Sequence, residues 1–237
     1  MQIIRKIEVF GDSILKGVQL NRQQRYCVDN HIDTDLLSRR FGLKITNRSK
    51  MGCTVIKGAE HIERFLRGEP DCRAIVMDFG GNDCDFNWEK IAADPDGDYE
   101  PHTPLALFED TYHRLIEKLK LCGIVPILTN LPPLEPQQFF DWFCRNLNKA
   151  NVLKWMGGSI TTIYRFQESY SRAVERIARS AAAPLADLRG AFLCHRRIDG
   201  YLCEDGIHPN TDGQGIITSA FMEFADALLP RCSSAPA

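Results

Sequence analysis

The chain has 237 residues, 44% hydrophobic and 25% charged, with 29 Lys and Arg against 31 Asp and Glu for a formal net charge of −2. This is ordinary globular composition, which excludes disorder, collagen and coiled coil, and it lacks the basic excess that binding a phosphate backbone requires, so no nucleic-acid partner is expected. No apolar run approaches the roughly 18 residues of a membrane span, and the opening MQIIRKIEVF alternates where a signal peptide would be uninterrupted; the expectation is a soluble, cytoplasmic protein with no stable membrane insertion.

Nine cysteines stand at positions 27, 53, 72, 84, 122, 144, 194, 203 and 232. No CxxC pair and no Cys/His cluster at zinc spacing occurs among them, so they read as reduced thiols and no metal site is expected.

Short apolar, β-branched runs alternate with longer helical patterns along the chain, the signature of repeated βα units around a parallel sheet. Strands are predicted at Ile3–Phe10, Leu43–Asn47, Ala74–Phe79, Ile124–Asn130 and Pro184–Leu188. Helices are predicted at Thr34–Phe41, Val55–Leu66, Pro104–Cys122, Ser159–Ala182 and Thr211–Leu229. The third of these has Thr103 as N-cap, Pro104 at the first helical position, apolar residues at Leu107, Tyr112, Leu115, Ile116 and Leu119, and a stop at Gly123. No linker or repeat divides the chain, so residues 1–230 read as one three-layer α/β/α domain and residues 231–237 as a flexible tail.

Residues 84–103 and 131–158 interrupt the βα rhythm and read as insertions. The first is acidic. The second carries Phe139, Phe140, Trp142, Phe143 and Trp155, which suit either a lid over a substrate pocket or a helix packed on the core. Both follow strands at their C-terminal ends, the edge where open α/β sheets place ligands.

Four short segments at that edge carry groups able to do chemistry. Phe10-Gly11-Asp12-Ser13 ends the first strand with a sharp turn and a small hydroxyl residue, a nucleophile or a plain helix cap. Met51-Gly52-Cys53 places a glycine after the second strand, a turn former or a backbone N–H brought close to substrate. Gly80-Gly81-Asn82-Asp83 follows the third strand and offers a carboxamide, a turn former or an oxyanion donor. Asp205-Gly206-Ile207-His208-Pro209 precedes the last helix, where three-residue spacing lets a carboxylate fix the imidazole tautomer; the alternative is a surface turn. Together they supply every role that acyl transfer needs.

In order and spacing these segments resemble the four blocks of the SGNH hydrolases, the GDSL esterase/lipase family, over positions 11 to 208. The resemblance implies a flavodoxin-like α/β/α sandwich with a central five-stranded parallel sheet. It also implies Ser13 as nucleophile, His208 as general base, Asp205 as the residue that orients it, and an oxyanion hole of the Ser13 and Gly52 N–H groups with the Asn82 side chain. Asp12 and Asp83 match structural positions. No cofactor is implied. The substrate expected from it is a small-molecule ester of short acyl chain, with a carbohydrate O-acetyl ester or a lysophospholipid as alternatives within the family. The fourth letter of the GDSL signature is Ile14 here, a conservative apolar change. A GxSxG elbow is lacking, which separates the chain from the ordinary α/β-hydrolases.

Phe139, Trp142 and Trp155 are the candidate substrate contacts. Cys53 and Cys84, next to Gly52 and Asp83, are either packing residues or thiols whose modification inhibits. A non-catalytic flavodoxin-like binding module is the alternative of a different class, and the loop Gly-Asp-Ser-Ile-Leu-Lys meets the needs of a flavin phosphate poorly.

Overall fold

Residues 5–228 are described in a computed structural model of the protein. In chain order the elements are β1 (Lys6–Gly11), α1 (Ser13–Lys16), β2 (Val18–Leu20), β3 (Tyr26–Val28), α2 (Thr34–Phe41), β4 (Lys44–Asn47), α3 (Val55–Leu66), β5 (Ala74–Asp78), α4 (Trp88–Ala93), α5 (Leu105–Leu121), β6 (Val125–Thr129), α6 (Pro136–Phe143), α7 (Lys149–Trp155), α8 (Thr161–Ser180), β7 (Leu185–Ala186), α9 (Leu188–Leu193) and α10 (Thr211–Leu228). The expected strand residue Ile3, the helix end Leu229 and the tail 231–237 lie outside the described residues.

Five strands form one sheet in the order β4-β1-β5-β6-β7, every pair parallel. Numbered among themselves along the chain they run 2-1-3-4-5, the flavodoxin-like order. The chain leaves β1 toward one neighbour, β4, and returns to the other, β5, so the crevice of the switch point opens at the C-terminal end of β1.

Side chains alternate across the sheet and each face is covered by helices. Ile75, Met77 and Leu128 pack with Val55 and Ile62 of α3, Phe108, Tyr112 and Ile116 of α5, and Val174 and Ile177 of α8. Ala74, Val76 and Ile127 face the other way, onto Leu15, Leu188, Phe192, Ile217 and Ala220. Burial on both faces is why β5 reads as an unbroken apolar run.

The helix capped by Thr103 in the sequence reading begins later, at Leu105, with Pro104 in the cap position and no side-chain cap bond. Thr103 is turned inward instead. Its N–H donates to the Asp83 carbonyl at 3.0 Å and its carbonyl accepts from the Tyr170 hydroxyl, so tertiary bonds outcompete local capping. The predicted fifth strand shortens to Leu185–Ala186 because Asp187 caps α9 through Gly190 N, making Leu188 helical.

The two interrupting segments pack on each other. Phe86, Trp88 and Ile91 of the first meet Phe140, Val152 and Met156 of the second and Ile163 of α8 in a third apolar cluster. The Asn151 side chain donates to the Ala92 carbonyl at 2.7 Å, and Lys154 pairs with Asp96 at 2.7 Å. The β2–β3 hairpin lies outside the main sheet, antiparallel with Val18 opposite Val28.

Candidate active site

Ser13 is the first residue of α1, immediately beyond the switch-point end of β1. The turn is made possible by Gly11, which pairs with Asp78 so closely that a Cβ would fall 2.8 Å from the Asp78 Cβ. Asp12 caps α1, its Oδ1 accepting from Ile14 N at 2.8 Å. The hydroxyl is thereby held at the sheet edge on a backbone with little freedom to move.

His208 reaches Ser13 from the far end of the chain, its Nε2 2.9 Å from Ser13 Oγ. Its Nδ1 lies 2.6 Å from Asp205 Oδ2, while Asp205 Oδ1 accepts from the backbone N–H groups of Ile207 and His208 at 3.1 Å each. Both residues are buried. Burial alone pushes the Asp205 carboxyl up, but the bond and charge of His208, with the two backbone donors, outweigh it and hold the group below the usual carboxylate range. An ionised Asp205 accepts Nδ1–H and leaves Nε2 free to take a proton from Ser13.

The Asp205–His208 turn is seated on the second interrupting segment. Gly206 has φ +72°, and a Cβ there would lie 2.7 Å from the Glu135 carbonyl and 2.8 Å from Phe139 N. The Glu135 N–H donates to the Gly206 carbonyl at 2.8 Å. Helix α6 therefore buttresses the turn that carries His208, a tie that the three-residue spacing in the sequence does not disclose.

Asn82 and Gly52 line one cavity with Ser13. Asn82 Nδ2 donates to Asp12 Oδ2 at 3.1 Å and approaches the Cys53 carbonyl at 3.4 Å. Asp83 accepts from Val55 N with both oxygens, at 3.0 and 3.1 Å, tying the loop after β5 to the start of α3. Asn47 completes the frame, donating to the Leu15 carbonyl at 2.6 Å and accepting from Ser49 N at 2.9 Å. Gly52 has φ +70°, and a Cβ there would meet nothing within 4 Å, so the backbone angle of the turn is what calls for glycine.

Three buried carboxyls, Asp12, Asp78 and Asp83, underlie this frame. Burial first, then the charge of Asp78, pushes Asp12 well above the ordinary range. Burial likewise raises Asp78 and Asp83 to about 6.

The cavity, about 200 Å³, is lined by Ser13 and His208 together with Tyr26, Met51, Trp88, Phe139, Phe166 and Gln167. Phe139 is thus at the cavity, while Trp142 and Trp155 are not among its lining residues. Trp142 packs edge-on against Tyr26 with the Arg145 guanidinium over its ring at 3.4 Å. Trp155 packs against Phe86, Trp88, Tyr99 and Phe166 in the apolar cluster behind the wall. Sequence reasoning missed Tyr26, whose ring lies 5.0 Å from that of His208, and also Trp88 and Phe166. Tyr26 belongs to a hairpin of two three-residue strands, too short for alternation to register.

Cys53 and Cys84 are both buried, and Cys84 lines the cavity. Burial pushes the Cys53 thiol up to about 11 and that of Cys84 well above its ordinary value, which keeps both protonated at neutral pH. Among the described residues there is no cluster of three or more His, Cys, Asp or Glu arranged to hold a metal ion, and no helix long and apolar enough to cross a membrane.

The fold agrees with the comparisons. A search of curated proteins finds no match. Solved structures of similar fold include an α/β hydrolase enzyme from the metagenome of Lake Arreo, Spain (21% identity over 95% of this chain and 97% of that one, TM-score 0.66). A lipase/acylhydrolase from Enterococcus faecalis is similar at 20% identity over 94% and 95% (TM-score 0.64). An acetylxylan esterase from Geobacillus stearothermophilus is similar at 20% identity over 95% and 97% (TM-score 0.67). At these identities the likeness is one of fold. The profile of the GDSL-like Lipase/Acylhydrolase family matches residues 9–216. The chain belongs to that family, and so to a family of ester-hydrolysing enzymes.

Proposed function

We propose that the protein is a serine esterase that hydrolyses carboxylic esters of short acyl chain through an acyl-enzyme on Ser13. The observation that carries this reading is the line Ser13 Oγ, His208 Nε2, His208 Nδ1, Asp205 Oδ2, with separations of 2.9 Å and 2.6 Å at its two ends.

His208 Nε2 takes the Ser13 proton as Oγ attacks the ester carbonyl, and the imidazolium is stabilised by ionised Asp205. The carbonyl oxygen becomes an oxyanion facing the Ser13 and Gly52 N–H groups and Asn82 Nδ2. On collapse, the bond to the alcohol oxygen breaks and the leaving alkoxide takes the proton from Nε2. Water then enters, gives a proton to Nε2 and attacks the acyl carbon. The second tetrahedral species collapses, Oγ recovers the proton, and the carboxylic acid departs. No step calls on a metal or an organic cofactor.

A cavity of about 200 Å³ beside Ser13 favours a short acyl group over a fatty acyl chain. The same observation favours, as a second reading, removal of O-acetyl groups from a sugar, the kind of ester named for the acetylxylan esterase of similar fold. The test is hydrolysis of p-nitrophenyl acetate by wild type and Ser13→Ala, with acetylated sugars as a second panel. Wild type should turn over the ester and Ser13→Ala should lose activity by about 10³-fold or more; equal rates would contradict the reading. The wild-type rate should also fall on acidification, since a protonated imidazole accepts no proton.

A further inference from the structure

The cavity at Ser13 is lined by two carboxyl residues, Asp12 and Asp85, and by no Lys or Arg. Asp12 is committed to Ile14 N and to Asn82. Asp85 is differently placed. Its hydrogen-bond donors are neutral, Trp88 Nε1 at 2.7 Å and the backbone N–H of Phe86, and the basic group whose charge reaches it is His102. Asp85 is half-buried, and loss of solvation is the largest influence on it, pushing its carboxyl above the ordinary range.

Aromatic side chains share the wall with this group. Trp88, Phe139 and Phe166 line the same cavity, and Trp88 is fixed by its bond to Asp85 and by stacking on Phe143 at 4.3 Å. Aromatic rings and a carboxylate lining one concave site favour a positively charged group. The same surroundings repel an anionic group and give a neutral alkyl group the ring contacts alone.

We propose that Asp85, with the rings of Trp88, Phe139 and Phe166, forms a subsite for a cationic group on the substrate, so that the enzyme selects ammonium-bearing esters over their neutral isosteres. The inference rests on the reading of Ser13 as an ester-hydrolysing nucleophile. Asp85 follows Asn82 by three residues, which limits their Cα separation to about 11 Å. An ammonium one short spacer from the reacting carbonyl falls within that span.

The experiment compares kcat/KM for acetylcholine and 3,3-dimethylbutyl acetate, which differ in charge and hardly in shape, in wild type, Asp85→Glu and Asp85→Asn. Wild type should prefer the cationic ester by at least about tenfold, mainly through KM. Asp85→Glu should keep a preference, and Asp85→Asn should use the two esters alike. Tetramethylammonium should competitively inhibit p-nitrophenyl acetate hydrolysis by wild type where neopentyl alcohol does not, a test that needs no variant to fold. Wild type that hydrolyses p-nitrophenyl acetate yet treats the two esters alike, or Asp85→Asn that keeps the full preference, overturns the subsite. Wild type inactive on every ester overturns the esterase reading instead.

Discussion

Asn82 Nδ2 and Asp12 Oδ2 are 3.1 Å apart, which links the carboxamide proposed as an oxyanion donor to the residue that caps the helix beginning at Ser13. The two halves of the site are thereby positioned by one hydrogen bond. Asn82→Ala should lower kcat by about a hundredfold or more with little change in KM, because the lost donor acts on charge that develops only in the transition state. Steady-state kinetics on p-nitrophenyl acetate check this; a change confined to KM would place Asn82 in ground-state binding.

Gly206→Ala should unfold or loosen the site by about 2 kcal/mol or more, since φ is +72° and the new Cβ would strike the Glu135 carbonyl and Phe139 N. Gly52→Ala shares the positive φ but meets nothing within 4 Å, so its cost should be smaller, about 1 kcal/mol. Thermal melts of the two variants give the ordering, and a reversed order would contradict the packing of α6 on the Asp205–His208 turn.

The pH dependence of stability should carry the mark of Asp78. Its folded-state value, about 6, lies above the unfolded value of 3.8, so the folded state holds the proton more tightly. Its contribution is complete below pH 3.8 and is lost as pH rises through about 6. Asp205 is shifted the other way and contributes above its unfolded value, losing that contribution on acidification. The Tm difference between wild type and Asp78→Asn should therefore move against wild type between pH 4 and 7. A difference that is constant over that range would show that Asp78 does not titrate with a raised value.

N-ethylmaleimide at neutral pH should leave ester hydrolysis unchanged. Cys53 and Cys84 lie beside the site but are buried and held as thiols, whereas Cys122 and Cys194 are exposed and take the label. Inhibition that is abolished by Cys84→Ser would reverse this assignment.

Much of this architecture could be read from residues that act locally. Helices α2 and α3 fall at their predicted limits because Asp33 and Thr54 accept from Leu36 N and Lys57 N, and Gly42 ends α2 in the left-handed region. The Asp205–His208 contact was legible because three residues separate the partners. What could not be read depends on distant packing. Tyr26 comes to His208 on a hairpin, Trp88 and Phe166 line one cavity although far apart in the chain, with Phe166 packed on Phe86, and Thr103 leaves its cap to face Asp83 and Tyr170. For Gly52 the sequence leaves a turn former and a backbone donor as alternatives, because it marks a glycine without its backbone angle, here +70°.

The most direct measurement is intact-mass analysis of wild type and Ser13→Ala after exposure to a fluorophosphonate probe, with peptide mapping of any adduct. A single adduct on Ser13, absent from Ser13→Ala and suppressed in His208→Ala, is the predicted result. An adduct elsewhere, or one that survives Ser13→Ala, would contradict the assignment of Ser13 as the nucleophile.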